Sequence, residues 1–237
     1  MTPQHPKKVA ILQSSYIPWK GYFDIINMAD EFILYDNIQY TRRDWRNRNK
    51  IKTPQGSQWI TIPIHVKGKY HQAIRDTTVI DNKWRKKHWL SLLHNYAKAK
   101  YFKAYKALFE PLYLNNTESF LSEINYAFIK TINKILGITT KISWATHYDS
   151  LEDKNTRLIN MCKAACATDY ISGHLAKNYL DESLFQQAEI SIQWMDYANY
   201  PIYQQLHGAF EHEVTILDLI FNEGPNALKY MKSFGNK

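Results

Sequence analysis

Only two cysteines occur in the 237 residues, Cys162 and Cys166, four positions apart. On a helix that spacing puts both on one face but does not suit a disulfide. No histidine or acidic cluster stands beside them to complete a zinc site. They read as small apolar residues facing the core, in a reduced setting. Glycine and proline are also sparse, eight of each, which excludes a low-complexity chain. No apolar run approaches the roughly 20 residues that a membrane span requires. The opening MTPQHPKKVAILQ lacks the apolar stretch of a signal peptide, so a cytoplasmic protein is expected. Walker, GxGxxG, HExxH and GxSxG motifs are all missing. Covalent serine or cysteine catalysis therefore has no motif behind it, no metal ligands stand out, and the residues name no cofactor.

What is present is apolar mass and an uneven charge. Hydrophobic residues make up 45% of the chain and aromatics 14%, enough to fill the core of one domain over residues 1–237. The formal net charge is +8. Residues 1–106 hold 20 Lys and Arg against 7 Asp and Glu, and residues 107–237 hold 10 against 15. One face should therefore attract anions: nucleic acid, nucleotide phosphates or an acidic surface. A solvated basic face is the plainer reading of the same numbers.

Along the chain, apolar runs alternate with helical periodicity. Val9–Leu12 reads as a buried strand and Tyr22–Ala29 as a helix, with Phe23, Ile26 and Ala29 at three-residue spacing. Glu31–Asp36 is the next strand, closing a βαβ-sized unit. Thr53-Pro-Gln-Gly56 is a turn, so a hairpin or irregular basic loop feeds a third strand ending near Pro63, at a sheet edge. Two long helical stripes follow, a helical layer or insertion at about residues 83–137, with Gly137 as a natural stop. Strands at Lys141–Ala145, Asp169–Gly173 and Ser191–Met195 then alternate with helices. One of these is capped at Asn155 or Thr156, one restarts at Asp181, and the last spans Val214–Asn222. Such alternation predicts an α/β fold: a mostly parallel, Rossmann-like sheet with helices on both faces.

In that architecture ligands sit beyond the carboxyl ends of the strands, which singles out three loops. In Gln13–Tyr22, Gly21 lets the backbone approach a phosphate, Lys20 neutralises it, and Gln13, Ser14 and Tyr16 line the turn. A tight turn pinned by Pro18 is the bland alternative. The second loop joins Asp36, Asn37 and Gln39, suited to a ribose hydroxyl or an amine, to the basic run Arg42, Arg43, Arg46, Asn47 and Arg48. Guanidinium groups fork onto phosphate or carboxylate oxygens, though some of this run is expected to be merely solvated and Trp45 to be a packing anchor. The third is Ser172-Gly173-His174, where His174 can act as general acid or base near neutral pH. Lys20, Asp36 and His174 are the catalytic candidates.

The stretches QSSYIPWKGYFDII, DEFILYDNIQYTRRDWRNRNKIKTPQG, WITIPI, DYISGHLAKNYLD and HEVTILDLIFNEG together resemble the WbqC-like protein family over nearly the whole chain. That resemblance implies a bacterial cytoplasmic protein associated with surface polysaccharide (O-antigen) biosynthesis. Many relatives read His-Gln-Pro where this chain has Leu12-Gln13-Ser14, so no role for that histidine carries over. The strand, Pro-x-x-Gly-Tyr, helix, strand order also resembles the nucleotidyltransferase and class I tRNA-synthetase superfold. Trp19-Lys20-Gly21-Tyr22 stands at its HxGH position with neither histidine, so the implication reaches the fold and not adenylyl transfer. The expectation is a transferase for an anionic, activated small molecule, a nucleotide-sugar or an acyl or aminoacyl donor. The alternatives are a nucleic-acid (tRNA) binding protein or a noncatalytic component of a biosynthetic complex.

Overall fold

The computed structural model describes residues 6–148 and 153–235. Five parallel strands form one sheet: β1 (Lys8–Leu12), β2 (Glu31–Leu34), β5 (Lys141–Trp144), β6 (Asp169–Ser172) and β7 (Ser191–Trp194). Their order is β5-β2-β1-β6-β7, with Ala10 paired to Phe32 on one side and to Ile171 on the other. The chain thus winds outward from β1 in one direction, returns, and winds outward in the other.

Both faces of this sheet are apolar, because strand side chains alternate. Ala10, Phe32, Leu34 and Ile171 face α1 (Lys20–Met28) and a core shared with the helical layer. Val9, Ile11, Ile33 and Tyr170 face the opposite core with α5 (Lys154–Ala164) and α6 (Glu182–Gln187). The expected α/β architecture with helices on both faces is what the chain adopts.

The helical layer comprises α2 (Lys83–Tyr96), α3 (Phe102–Leu114) and α4 (Leu121–Leu136). Ile124, Phe128 and Ile132 of α4 are fully buried, each contributing about 1.5–3 kcal/mol of burial. Gly137 stops this helix at φ 70°, a left-handed conformation that releases the chain toward β5. The final helix, α7 (Ile216–Glu223), is held at its start by a bond from Ile216 N–H to the Pro18 carbonyl.

Three expectations need correction. The hairpin alternative for the Thr53–Gly56 turn holds, but the run around residue 60 adds no third strand to the five-stranded sheet. β3 (Arg48–Thr53) and β4 (Gly56–Thr61) pair only with each other, as an antiparallel hairpin. The turn closes so tightly that the two runs satisfy one another's backbone groups. The cap of α5 is Asp153, whose carboxylate accepts from Asn155 and Thr156 N–H, two or three residues before the expected position. Cys162 is buried as expected, but Cys166 is exposed: α5 ends at Ala164, and Cys166 turns away at φ 56°.

Candidate functional site

The winding direction reverses between β1 and β6, and the carboxyl ends of these strands open into a cleft of about 610 Å³. Crevices at such switch points are where open α/β sheets bind ligands, since the flanking loops diverge there. Gln13 and Trp19 supply one wall, Ser172 and His174 the opposite one. Trp45, Arg46 and Asn49 also line it, as does Lys154 at the first turn of α5. Tyr197 and Glu213 reach in from the irregular segment between β7 and α7.

The loop from Gln13 to Pro18 is held from nearly every direction. Asp36 Oδ1 accepts from Ser14 N–H at 2.7 Å, and Asn125 donates to Ser14 Oγ at 3.0 Å. One guanidinium nitrogen of Arg46 donates to the Gln13 and Ser14 carbonyls and to Ser15 Oγ, at 3.1, 3.1 and 2.9 Å. Asn49 donates to the Tyr16 and Ile17 carbonyls at 3.0 and 2.8 Å. This bracing sustains a strained backbone: Ile17 is a buried β-branched residue at φ 38°. Such strain costs on the order of 1–3 kcal/mol and persists only where the surroundings over-determine it.

Much of the signature DNIQYTRRDWRNRNK is therefore spent on shaping one cleft wall. Asn47 is likewise buried, accepting from Tyr40 Oη and donating to the Ile62 carbonyl. Burial raises the pKa of Asp36, opposed by Ser122, Ser14 and Arg46.

The candidate residues divide accordingly. Gln13, Arg46, Ser172, Gly173 and His174 line the cleft together. Ser14 and Asp36 lie directly beneath it as braces. Tyr16 is in the core, its hydroxyl 3.0 Å from His88 Nδ1 and 2.9 Å from Tyr113 Oη. Lys20 turns away from the cleft, donating to the Pro201 carbonyl at 2.7 Å, 5.0 Å from the Tyr200 ring centre. Burial lowers its pKa to about 8, partly opposed by Asp24. Gly21 faces no open space: a Cβ there would lie 2.6 Å from Trp19 Cη2, so the glycine seats the indole. Asn37 is half-buried outside the lining, and Gln39 and Arg42 are exposed, donating to the Tyr70 and Val66 carbonyls. Arg43 is exposed, and Arg48 lies over the Trp59 ring, 4.2 Å from its centre.

Sequence reasoning missed Trp19, Lys154, Tyr197 and Glu213 as lining residues. Trp19 packs edge-on to Tyr197, with ring centres 5.3 Å apart. The ammonium of Lys154 stands over the Tyr179 ring at the rim. A signal did exist for Lys154, since α5 begins at the carboxyl edge of the sheet. Tyr197 and Glu213 arrive through long-range folding that no local period announces.

The sheet order and switch-point cleft define a Rossmann-like α/β protein. Within that class, residues 13–230 match the model of the WbqC-like protein family, and the chain belongs to that family. A protein of Mycobacterium tuberculosis (strain ATCC 25618 / H37Rv), described as "Uncharacterized protein Rv1507c", is 48% identical over 226 residues, covering 95% of this chain and 98% of its own. No solved structure matches the chain. Among the described residues no helix is long and apolar enough to cross a membrane.

Proposed function

We propose that the chain is a transferase of bacterial surface polysaccharide (O-antigen) biosynthesis, acting on an activated, phosphate-bearing donor held in the switch-point cleft. The donor is a nucleotide-sugar or an acyl or aminoacyl nucleotide; in both, the transferred group leaves from phosphate. The observation that carries this reading is the composition of the cleft. Flat aromatic surfaces at Trp19, Tyr35 and Tyr197 share one cavity with the cationic Arg46 and Lys154.

In this reading the aromatic walls hold the base and the ribose, while Lys154 offsets phosphate charge. His174 takes the proton from the acceptor nucleophile as the bond to the leaving phosphate breaks. Catalysis would rest mainly on positioning and fixed charge, which suits a wall braced as firmly as the Gln13–Pro18 loop. Lys20 and Asp36 act through the walls they support rather than on the donor.

Thermal unfolding in the presence of UDP-, GDP- and dTDP-sugars, ATP and aminoacyl-adenylate analogues tests the reading. A donor at 100 times its Kd adds about 2.7 kcal/mol, a rise of roughly 5–10 °C for a chain of this size. No rise with any member of the panel would refute it.

A further inference from the structure

The outer face of the hairpin carries a second cluster that the cleft does not absorb. Trp59 is 39% exposed on this face. Arg48 lies over its ring, with Cζ 4.2 Å from the centre, and Lys50, the direct cross-strand partner of Trp59, has Nζ 5.4 Å from the ring centre. These three share one side of the hairpin because antiparallel pairing puts opposite and diagonal residues on the same face. The exposed hydroxyls of Thr61, opposite Arg48, and Ser57, two residues from Trp59, lie on this face too.

The charge here is unbalanced. Lys50 pairs with Glu213 at 3.1 Å, but Arg42, Arg43 and Arg48 have no carboxylate within 4 Å among the described residues. Arg48 donates to the Arg43 main-chain carbonyl, which ties the loop carrying the exposed Arg43 to one end of the patch. The patch is also continuous with the cleft. Trp45 lines the cleft and packs against Trp59, with ring centres 5.0 Å apart and planes 41° from parallel.

We propose that this face, Trp59 with Arg43, Arg48 and Thr61, is a binding subsite for a sugar phosphate, positioned so that the ligand meets the cleft at Trp45. The part of the Trp59 indole left exposed beside Arg48 offers apolar surface to the C–H groups of a saturated ring, Thr61 and Ser57 offer hydrogen bonds to ring hydroxyls, and a guanidinium fork suits phosphate. The tilt between the tryptophans leaves no parallel slot for a flat base. With Trp59 the exposed tryptophan on this hairpin face, the patch lacks the row of aromatic platforms on which successive bases of a single strand stack. This inference rests on the reading of the cleft as a donor site and assigns the hairpin to the acceptor.

Indole N–H resonances of the seven tryptophans, followed in a two-dimensional ¹H–¹⁵N spectrum, test the inference in the intact chain. Glucose 1-phosphate should shift Trp59 and Trp45 and leave the buried Trp84 and Trp89 in place. Trp59→Ala and Arg48→Ala should each weaken that binding at least ten-fold. Trp59 is a surface residue, so folding of its variant is checked by the unchanged buried indole signals. Equal shifts with inorganic phosphate would overturn the assignment, as would no shift at Trp59. A tighter response to uridine monophosphate or to decathymidylate than to glucose 1-phosphate would also overturn it. Trp19 reports on the cleft separately: a nucleotide-sugar that moves Trp19 in both wild type and Trp59→Ala keeps the donor reading even if the hairpin stays silent. A silent Trp19 removes both.

Discussion

Replacing Gly21 by alanine should disturb the cleft through Trp19. A Cβ at this position would lie 2.6 Å from Cη2 and 2.8 Å from Cε2 of the indole, well inside van der Waals contact. The atoms in the way belong to a ring held by Tyr197 and Tyr200, with centres 5.3 and 5.4 Å away. Overpacking of this kind costs about 1–3 kcal/mol. Against it stands the gain from removing a helical glycine, at most about 0.5–1 kcal/mol. Gly21→Ala should therefore destabilise the protein by about 0.5–2 kcal/mol in urea unfolding and weaken donor binding, because the displaced indole reshapes one wall. The decisive comparison is the double-mutant cycle with Trp19→Ala. Without the indole, the same glycine replacement should become neutral or stabilising, leaving a coupling energy of about 1–3 kcal/mol, the size of the overpacking cost. If Gly21→Ala is stabilising with Trp19 present, or the cycle shows no coupling, the glycine is not seating the indole.

Asn49→Ala should cost about 2–3 kcal/mol, because two buried carbonyls lose their donor at a strained turn; a variant within 0.5 kcal/mol of wild type would show that the loop does not depend on it. Glu31 gives a pH signature. Its side chain is 1% exposed, and burial, which alone would raise its pKa, is outweighed by hydrogen bonds from Tyr148, Lys7, Ser143 and Lys141, leaving it at about 2 against an ordinary 4.5. A depressed folded pKa stabilises above the unfolded value. On the order of 2–3 kcal/mol should thus be lost as pH falls from about 4.5 toward 2. Glu31→Gln should remove that slope, which urea titrations at stepped pH would read; an unchanged slope would contradict the assignment.

The sheet was legible because its strands are short, apolar and separated by helical periods, which is the pattern that burial on both faces imposes. Gly137 and Asp181 marked boundaries for local reasons: one takes a positive φ, the other caps α6 through Ser183 N–H. The hairpin's independence from the main sheet was not legible. Alternation reveals that a segment is a strand but not which partner completes its hydrogen bonds. The basic run misled more subtly. Charge and amide side chains after a strand suggest ligand contacts, yet Arg46, Asn47 and Asn49 direct hydrogen bonds inward to main-chain oxygens. A tight, strained turn needs many donors, and arginine and asparagine supply them as readily to carbonyls as to substrates. Two of the lining residues, Tyr197 and Glu213, lie 184 and 200 positions from Gln13 in sequence and are brought to the cleft only by tertiary folding.

Calorimetric titration of the wild type and of Gly173→Leu, with whichever donor raises thermal stability most, probes the cleft directly. Gly173 has an ordinary extended backbone at φ −69°, and a Cβ there meets only Tyr197 Oη at 3.8 Å. A leucine should therefore fold normally while filling the space between the two walls. Loss of donor binding by at least a hundred-fold, with the unfolding temperature of the free protein unchanged, is the expected result. Full affinity in a folded Gly173→Leu protein would place the ligand elsewhere and contradict the account.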